Sequence, residues 1–382
     1  MQTPLHDRII RFLDERARNG LLRAIPGPGH DCRHAIDFST NSYCALHNNG
    51  AIAEAAAKLA NGSFSGNLAS RLIAETSPLA PELEAELAAW KHTECALLFN
   101  SGYAANTGIL QALCTRDTEV FCDRLNHASI IDGVLLAGAK LNRYRHCDMA
   151  DLRDRLRASC AKEKIIVTDT VFSMDGDRAP LADIGELAVA HECFVMVDEA
   201  HATGIFGAGG SGLTEALGVA DAIDVCVGTL SKAMAGCGGF FAGDSLLRDY
   251  FVNTARSLIY STALPHSVIA FDLASVCYLR AHPELGPRLL LKAQEFRDRL
   301  RELGFDTMQS TTQIVPCMVG DEAAAMGLSA FLRNRGIIAP AIRPPTVPMH
   351  SARIRFSVHL GLSADDEAKL YAALKEWKTV NG

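Results

Sequence analysis

No apolar run in this 382-residue chain approaches the roughly 20 residues that a membrane-spanning helix needs. Basic residues are in deficit: 37 Lys and Arg face 44 Asp and Glu, a formal charge of −7. That balance argues against nucleic acid as a bulk partner while leaving room for a local anion site. Paired cysteines are missing too. The 12 cysteines include no C-x-x-C spacing, so neither a zinc site nor a disulfide framework is indicated, and no metal is expected. Cys95, Cys122, Cys193 and Cys226 fall within apolar runs, where a reducing compartment leaves cysteines as small buried hydrophobes. The opening Met1-Gln2-Thr3-Pro4-Leu5-His6-Asp7-Arg8 lacks the apolar core of a signal peptide. Internal repeats and low-complexity tracts are absent. The expectation is a cytoplasmic protein with no membrane partner.

What is present is an ordinary globular composition, 48% hydrophobic and 21% charged, on a chain long enough for about two or three domains. Residues 3–19 are predicted as an amphipathic helix, followed by a break at Pro26-Gly27-Pro28-Gly29, a short strand at 36–39 and an alanine-rich helix at 51–60. From Pro81 the pattern becomes regular. Helix-like stretches (82–91, 104–114, 129–138, 151–163, 183–192) alternate with short apolar strands at 96–99, 119–122, 140–144, 165–168, 194–197, 225–227 and 239–242. Such alternation predicts an α/β fold with a mostly parallel seven-stranded sheet covered on both faces. Beyond Pro265 come helices at 266–281 and 287–302. Three short strands (314–319, 337–342, 353–358) then surround a helix at 322–335, before a last helix at 364–378. The expected division is an arm (1–40), a large domain (41–264) and a smaller C-terminal α+β domain (265–382).

Ligands of such sheets sit beyond the carboxyl ends of the strands, which directs attention to the polar residues there. Lys232 follows the apolar Val225-Cys226-Val227 and precedes a second apolar run from Gly239. A lysine between two core strands loses hydration, and the lowered proton affinity suits an amine that attacks an aldehyde. Alternatively it ends a loop and snorkels to water. Asp198 closes the run Phe194-Val195-Met196-Val197 and can pair with a buried cation such as a protonated pyridine nitrogen, or simply cap a helix. His127 follows a strand and can stack on a flat ring or be a satisfied core histidine. Ser101-Gly102-Tyr103 opens a helix, where backbone N–H groups bind phosphate; Ser261-Thr262 is a weaker candidate of the same kind. Arg353 and Arg355, two apart on a strand, share a face, and either can hold a carboxylate or face solvent. Gly207-Ala208-Gly209-Gly210-Ser211-Gly212 matches G-x-G-x-x-G, so a nicotinamide enzyme is a rival. That fingerprint needs a strand running straight into the first glycine, and here Gly207 comes nine positions after Asp198.

Taken together, Asn100-Ser101-Gly102-Tyr103-Ala104-Ala105-Asn106, Asp123-Arg124-Leu125-Asn126-His127-Ala128-Ser129, Val171-Phe172-Ser173-Met174-Asp175-Gly176-Asp177, Val197-Asp198-Glu199-Ala200-His201-Ala202-Thr203-Gly204 and Thr229-Leu230-Ser231-Lys232 resemble the α-oxoamine synthase family. These are fold type I enzymes that use pyridoxal 5′-phosphate (PLP), and the resemblance spans nearly the whole chain. It implies that Lys232 carries the cofactor and acts as acid and base, and that Asp198 pairs with the pyridine nitrogen. His127 would stack on the ring, while His201 and Ser173 would bond its hydroxyl. Ser101, Gly102, Tyr103 and Thr229 would hold the phosphate, with Thr262 arriving from the second subunit of a homodimer. Arg355 would take the amino acid's carboxylate and Asn41 would reach the same pocket. Arg23 would meet the distal carboxylate of an acyl chain. The run Ile342-Arg343-Pro344-Pro345-Thr346-Val347-Pro348, with Ala352-Arg353-Ile354-Arg355, most resembles the branch that joins L-alanine to a pimeloyl thioester, on coenzyme A or an acyl-carrier protein. Glycine- or serine-using branches, and non-catalytic partner subunits, are the alternatives; the latter usually lack the lysine. Departures from the family pattern fall at Ser42, Cys44, Ala45, Ala80 and Leu362, and they bear on the acyl donor rather than on the cofactor.

Overall fold

A computed structural model describes residues 3–23, 25, 35–63, 66–74 and 77–381; the Pro26-Gly27-Pro28-Gly29 break lies outside them. Thr3 starts helix α1 (Pro4–Arg18), its hydroxyl accepting the His6 N–H while the His6 ring accepts that of Thr3, a reciprocal cap. The arm continues through a two-residue strand β1 (Ile36–Asp37) to helices α2 (Gly50–Ala60) and α3 (Leu79–Lys91). The main sheet then assembles from β2 (Cys95–Phe99), β3 (Thr118–Asp123), β4 (Lys140–Tyr144), β5 (Glu163–Asp169), β6 (Phe194–Asp198), β7 (Val225–Thr229) and β8 (Gly239–Gly243). Their spatial order is β2-β8-β7-β6-β5-β3-β4. Only β8 runs antiparallel to its neighbours. Connecting helices α4 (Gly102–Leu113), α5 (Ala128–Ala137), α6 (Met149–Ala158) and α7 (Leu181–His191) cover the sheet.

Period-two alternation explains why both faces are buried. Val120, Cys122, Val167, Met196, Val227 and Phe241 belong to one apolar cluster, together with Ile109 of α4 and Ile130 of α5. Phe121, Ile166, Val195, Val197, Cys226 and Phe240 point the other way, into a cluster with Leu87 of α3 and Ile184 of α7. The sheet divides two cores. Cys122 and Cys226 act there as apolar filler, and burial pushes the Cys226 thiol up to about 12.

In the C-terminal part, β9 (Ile314–Gly320), β10 (Ile337–Ile338), β11 (Ala341–Ile342) and β12 (Ala352–Ser357) replace the three strands expected. The predicted strand 337–342 breaks at Ala339-Pro340, because proline has no N–H to give a ladder. Strand β11 joins the antiparallel sheet β11-β12-β9, whereas β10 pairs in parallel with β1 of the arm. Phe38, just after β1, packs on Phe296 and Phe356 with ring centroids 5.6 and 5.4 Å apart. Helix His266–Ala281 packs on α2 and α3. We keep the division at residues 40 and 264 as a proposal, in which β1 and this helix bridge the parts.

The glycine run 207–212 has a structural explanation. Lys91 Nζ lies 2.5 Å from Glu199 Oε2, 2.7 Å from Thr203 Oγ1 and 2.5 Å from the Ser211 carbonyl, and both side chains are buried. Gly212, at φ 141°, wraps this ion pair so closely that a Cβ would fall 1.9 Å from Glu199 Oε2. The loop closes over a buried carboxylate rather than cradling a dinucleotide.

Candidate active site

The carboxyl ends of β5, β6 and β7 converge on one cleft of about 190 Å³, lined by Ser101, Gly102, Tyr103, Asn106, His127, Asp169, Asp198, Ala200, His201, Thr229, Ser231 and Lys232. Eight residues singled out from sequence meet there: Ser101, Gly102, Tyr103, His127, Asp198, His201, Thr229 and Lys232. Asp198 ends β6 and is held by Asn106 Nδ2 at 2.7 Å and by the Ala200 N–H at 2.8 Å. Lys232 follows β7, with Nζ 2.8 Å from His201 Nε2. Burial lowers its amine to about 8 against the upward pull of Asp198 and Asp169. His201 is held well below its ordinary value by burial, then by Lys232, Arg355 and His127, and is neutral. His127 opens α5, its Nδ1 2.7 Å from Ser129 Oγ. Burial and Lys232 depress it too, with Asp198 opposing.

The start of α4 forms one corner of the cleft, a candidate anion site. Ser101 Oγ accepts the Ala104 N–H at 3.0 Å, and the first N–H groups of a helix have no acceptor within it. Strand β8 passes so close that a Cβ on Gly239 would lie 2.5 Å from Gly102 N. Thr229 Oγ1 sits beside this corner, 2.8 Å from Ser231 Oγ.

The other expected residues lie around this cleft. Arg355 is buried, with Nε 2.5 Å from the Ser173 carbonyl, Nη1 2.8 Å from Ser357 Oγ and Nη2 3.2 Å from Asn41 Oδ1. Tyr43 is a further hydrogen-bond partner of this guanidinium, whose planar fork of donors suits a carboxylate. Ser173 borders a second cavity of about 700 Å³, whose wall includes Leu125, Ile131, Phe172, Met174, Met308, Met318, Pro345 and Val347 and which shares His127 with the cleft. Arg353 lines this cavity and pairs with Asp175. Arg23 bonds Thr346 Oγ1 on the cavity wall at 3.2 Å. Thr262 is exposed and does not line the cleft of its own chain; its carbonyl accepts Asn100 Nδ2 at 2.6 Å.

Sequence reasoning passed over Asn106, Asp169 and Tyr43. Asn106, 1% exposed, carried a signal as a polar residue on a core face of α4. Asp169 pairs with Asp198 in the β5–β6 register and accepts the His127 N–H at 2.7 Å. Burial and Asp198 raise its carboxyl well above the usual range.

Among the described residues, two groups of metal-ligand type occur, Asp123–His146–Cys147 and His146–Asp175–Asp177. His146 Nδ1 lies 2.9 Å from Asp123 Oδ1, and Nε2 lies 2.7 Å from Asp177 Oδ2. Against the cost of burial, the two carboxylates hold the ring up at about 12. Both nitrogens are therefore donors of an imidazolium, which ties the end of β3 to the turn carrying Ser173.

A family model for aminotransferase class I and II matches residues 33–374. The chain belongs to that family. Among curated members it is 46% identical over 332 residues to an 8-amino-7-oxononanoate synthase of Citrifermentans bemidjiense, covering 86% of this chain and 85% of that protein. A structure of SPT with its PLP internal aldimine superposes with TM-score 0.91 at 28% identity, covering 98% and 97% of the two chains. An 8-amino-7-oxononanoate synthase of Francisella tularensis gives TM-score 0.79 at 26% identity, covering 91% and 99%. These likenesses agree with the α-oxoamine synthase motifs and with the fold type I architecture of PLP-dependent transferases. The aminotransferase-family cleft fits PLP by its donor set: an amine of lowered proton affinity, a buried carboxylate, an imidazole and a helix start brought against a glycine strand.

Proposed function

We propose that this chain condenses L-alanine with a pimeloyl thioester to give 8-amino-7-oxononanoate, free thiol and carbon dioxide, with PLP as cofactor, in biotin biosynthesis. The carrying observation is Lys232: an amine lowered to about 8, in a cleft that shares His127 with an apolar cavity of about 700 Å³. Bound there, PLP supplies an aldehyde and an electron-accepting ring. Ser101, Gly102, Tyr103 and Thr229 would hold its phosphate and Asp198 its ring nitrogen, with His127 against a face. Ser173 and His201 would bond its hydroxyl. Lys232 takes the proton from the α-carbon of alanine and returns one after carbon dioxide has left. Arg355 and Asn41 orient the amino acid's carboxylate. The apolar cavity excludes water from the acyl chain, and Arg23 meets the distal carboxylate.

The active unit in this proposal is a cytoplasmic homodimer. Thr262, which does not line its own cleft, then serves that of the second copy. The apolar side chains of α1 (Leu5, Ile9, Ile10, Phe12 and Leu13, all 45–54% exposed) support a partner surface. No helix among the described residues is long and apolar enough to cross a membrane.

The backbone likeness to SPT favours a second reading, L-serine or glycine with a different acyl-CoA. A donor panel separates them: thiol release is measured with L-alanine, glycine and L-serine against pimeloyl-CoA, pimeloyl carrier protein and palmitoyl-CoA. Release with L-alanine and a pimeloyl donor is expected. Turnover of serine with palmitoyl-CoA alone would overturn the assignment.

A further inference from the structure

Tyr43 has no role in the chemistry described so far. It is fully buried, and its hydroxyl lies 2.7 Å from His201 Nδ1 and 3.1 Å from Asn41 Oδ1. On the opposite side of the same imidazole, Nε2 faces Lys232 Nζ at 2.8 Å. Donor counting fixes the direction of this chain. A lysine ammonium donates and cannot accept, so Nε2 must accept. A neutral imidazole then carries its proton on Nδ1, which donates to Tyr43 Oη. The phenol's own proton goes to Asn41 Oδ1, the oxygen that also accepts from Arg355 Nη2 at 3.2 Å and Ser357 Oγ at 3.5 Å. The reverse polarity fails: a Tyr43 proton pointing at Nδ1 would set Nε2–H against the ammonium, donor facing donor.

The surroundings keep the ring where it is. Gln313 Nε2 holds the His201 carbonyl at 2.9 Å. The charged and titratable groups acting on the imidazole are Lys232, Arg355 and His127, and the two cations among them favour the neutral ring that the donor count requires.

We propose that Tyr43 is a positioning residue that holds His201 as its Nδ1–H tautomer, keeping Nε2 as an acceptor toward Lys232, and that links this imidazole through Asn41 to Arg355. In the cofactor-free protein Nε2 accepts the Lys232 N–H while Nδ1–H rests on Tyr43; with PLP bound, Nε2 is the nitrogen left to meet the ring hydroxyl. A carboxylate arriving at Arg355 acts on the same chain through Asn41 Oδ1. The consequence for turnover rests on the function proposed above, whereas the tautomer does not.

The test begins with cofactor-free wild-type protein carrying ¹⁵N-histidine. Long-range ¹H–¹⁵N correlations of His201, assigned by their loss in His201→Gln, should show the Nδ1–H form. Tyr43→Phe strands the Nδ1–H without an acceptor and, above about pH 8 where the Lys232 amine is neutral and can itself accept, should shift that residue toward Nε2–H. In the PLP-loaded enzyme the same variant should lower kcat about tenfold, less than the roughly 10²–10⁴-fold of a direct acid–base group as suits a residue acting through another, with KM for the acyl donor unchanged. An Nε2–H tautomer in wild type overturns the proposal without any variant. So does a tautomer that Tyr43→Phe leaves unchanged. A protein with the expected tautomer and its expected loss, but no thiol release from any donor, upholds the positioning role and refutes only the reaction.

Discussion

Replacing Lys91 with Met should cost about 3–5 kcal/mol, as breaking one side of a buried ion pair does. Lys91→Met removes the contacts to Glu199, Thr203 and the Ser211 carbonyl at once. Glu199, 0% exposed, would keep only the Thr214 N–H at 2.8 Å and the Cys226 thiol at 3.7 Å. Glu199→Gln strands the ammonium instead. Both losses describe one interaction, so the double variant should cost about 1–3 kcal/mol less than the two singles added. Against a total stability of about 5–15 kcal/mol, each single change is large. Urea unfolding of the cofactor-free protein, followed by circular dichroism, measures all four corners of the cycle. The pH dependence has a definite sign. Burial alone would lower the Lys91 amine, but Cys226 and Glu199 raise it above its ordinary 10.5. Its stabilisation is therefore complete below pH 10.5 and lost as pH climbs through the higher folded value, so the deficit of Lys91→Met should be flat from pH 6 to 9. Single variants costing under about 1 kcal/mol, or costs that simply add, would refute the reading of the glycine loop as a cover for this pair.

Three more outcomes follow from the site. Reconstitution of cofactor-free protein with PLP should accelerate as pH rises through about 8, where Lys232 sheds its proton; a midpoint near 10.5 would mean an ordinary exposed lysine. His146→Gln should destabilise by about 2–3 kcal/mol through its two charged hydrogen bonds. Because the folded ring is held up at about 12, that stabilisation is complete below about pH 6.5 and is lost progressively up to about 12, so wild type and variant should converge in urea titrations as pH rises. Arg23→Ala should raise KM for the pimeloyl donor about tenfold or more with kcat little changed, since it removes uniform binding; an unchanged KM would remove Arg23 from the acyl site.

The site was legible in sequence wherever a strand delivered it. Asp198, His127 and Lys232 each stand at or just past the end of an apolar run, and the rule that ligands sit at those ends brought them together without any contact being known. Ser101 and Gly102 were legible for the same reason, as a strand-to-helix turn. Tyr43 was not. It reaches His201 across 158 positions of sequence, and nothing in its local pattern distinguishes it from a core tyrosine. Asp169 was visible as a strand end but had no distinct chemistry until the β5–β6 register set it against Asp198. The break at Pro340 could have been read, since a proline inside a strand pattern argues against a continuous ladder. Pairing of β1 with β10 could not, because two residues carry no periodicity.

The central claim is that the amine of Lys232 is the one that joins the cofactor. Loading the protein with PLP, reducing it with borohydride and sequencing the digest by mass spectrometry tests this directly. The account predicts a single reduced adduct, on the peptide containing Lys232, and none in Lys232→Ala. An adduct on another lysine, or full thiol release from a protein that yields none, would contradict it.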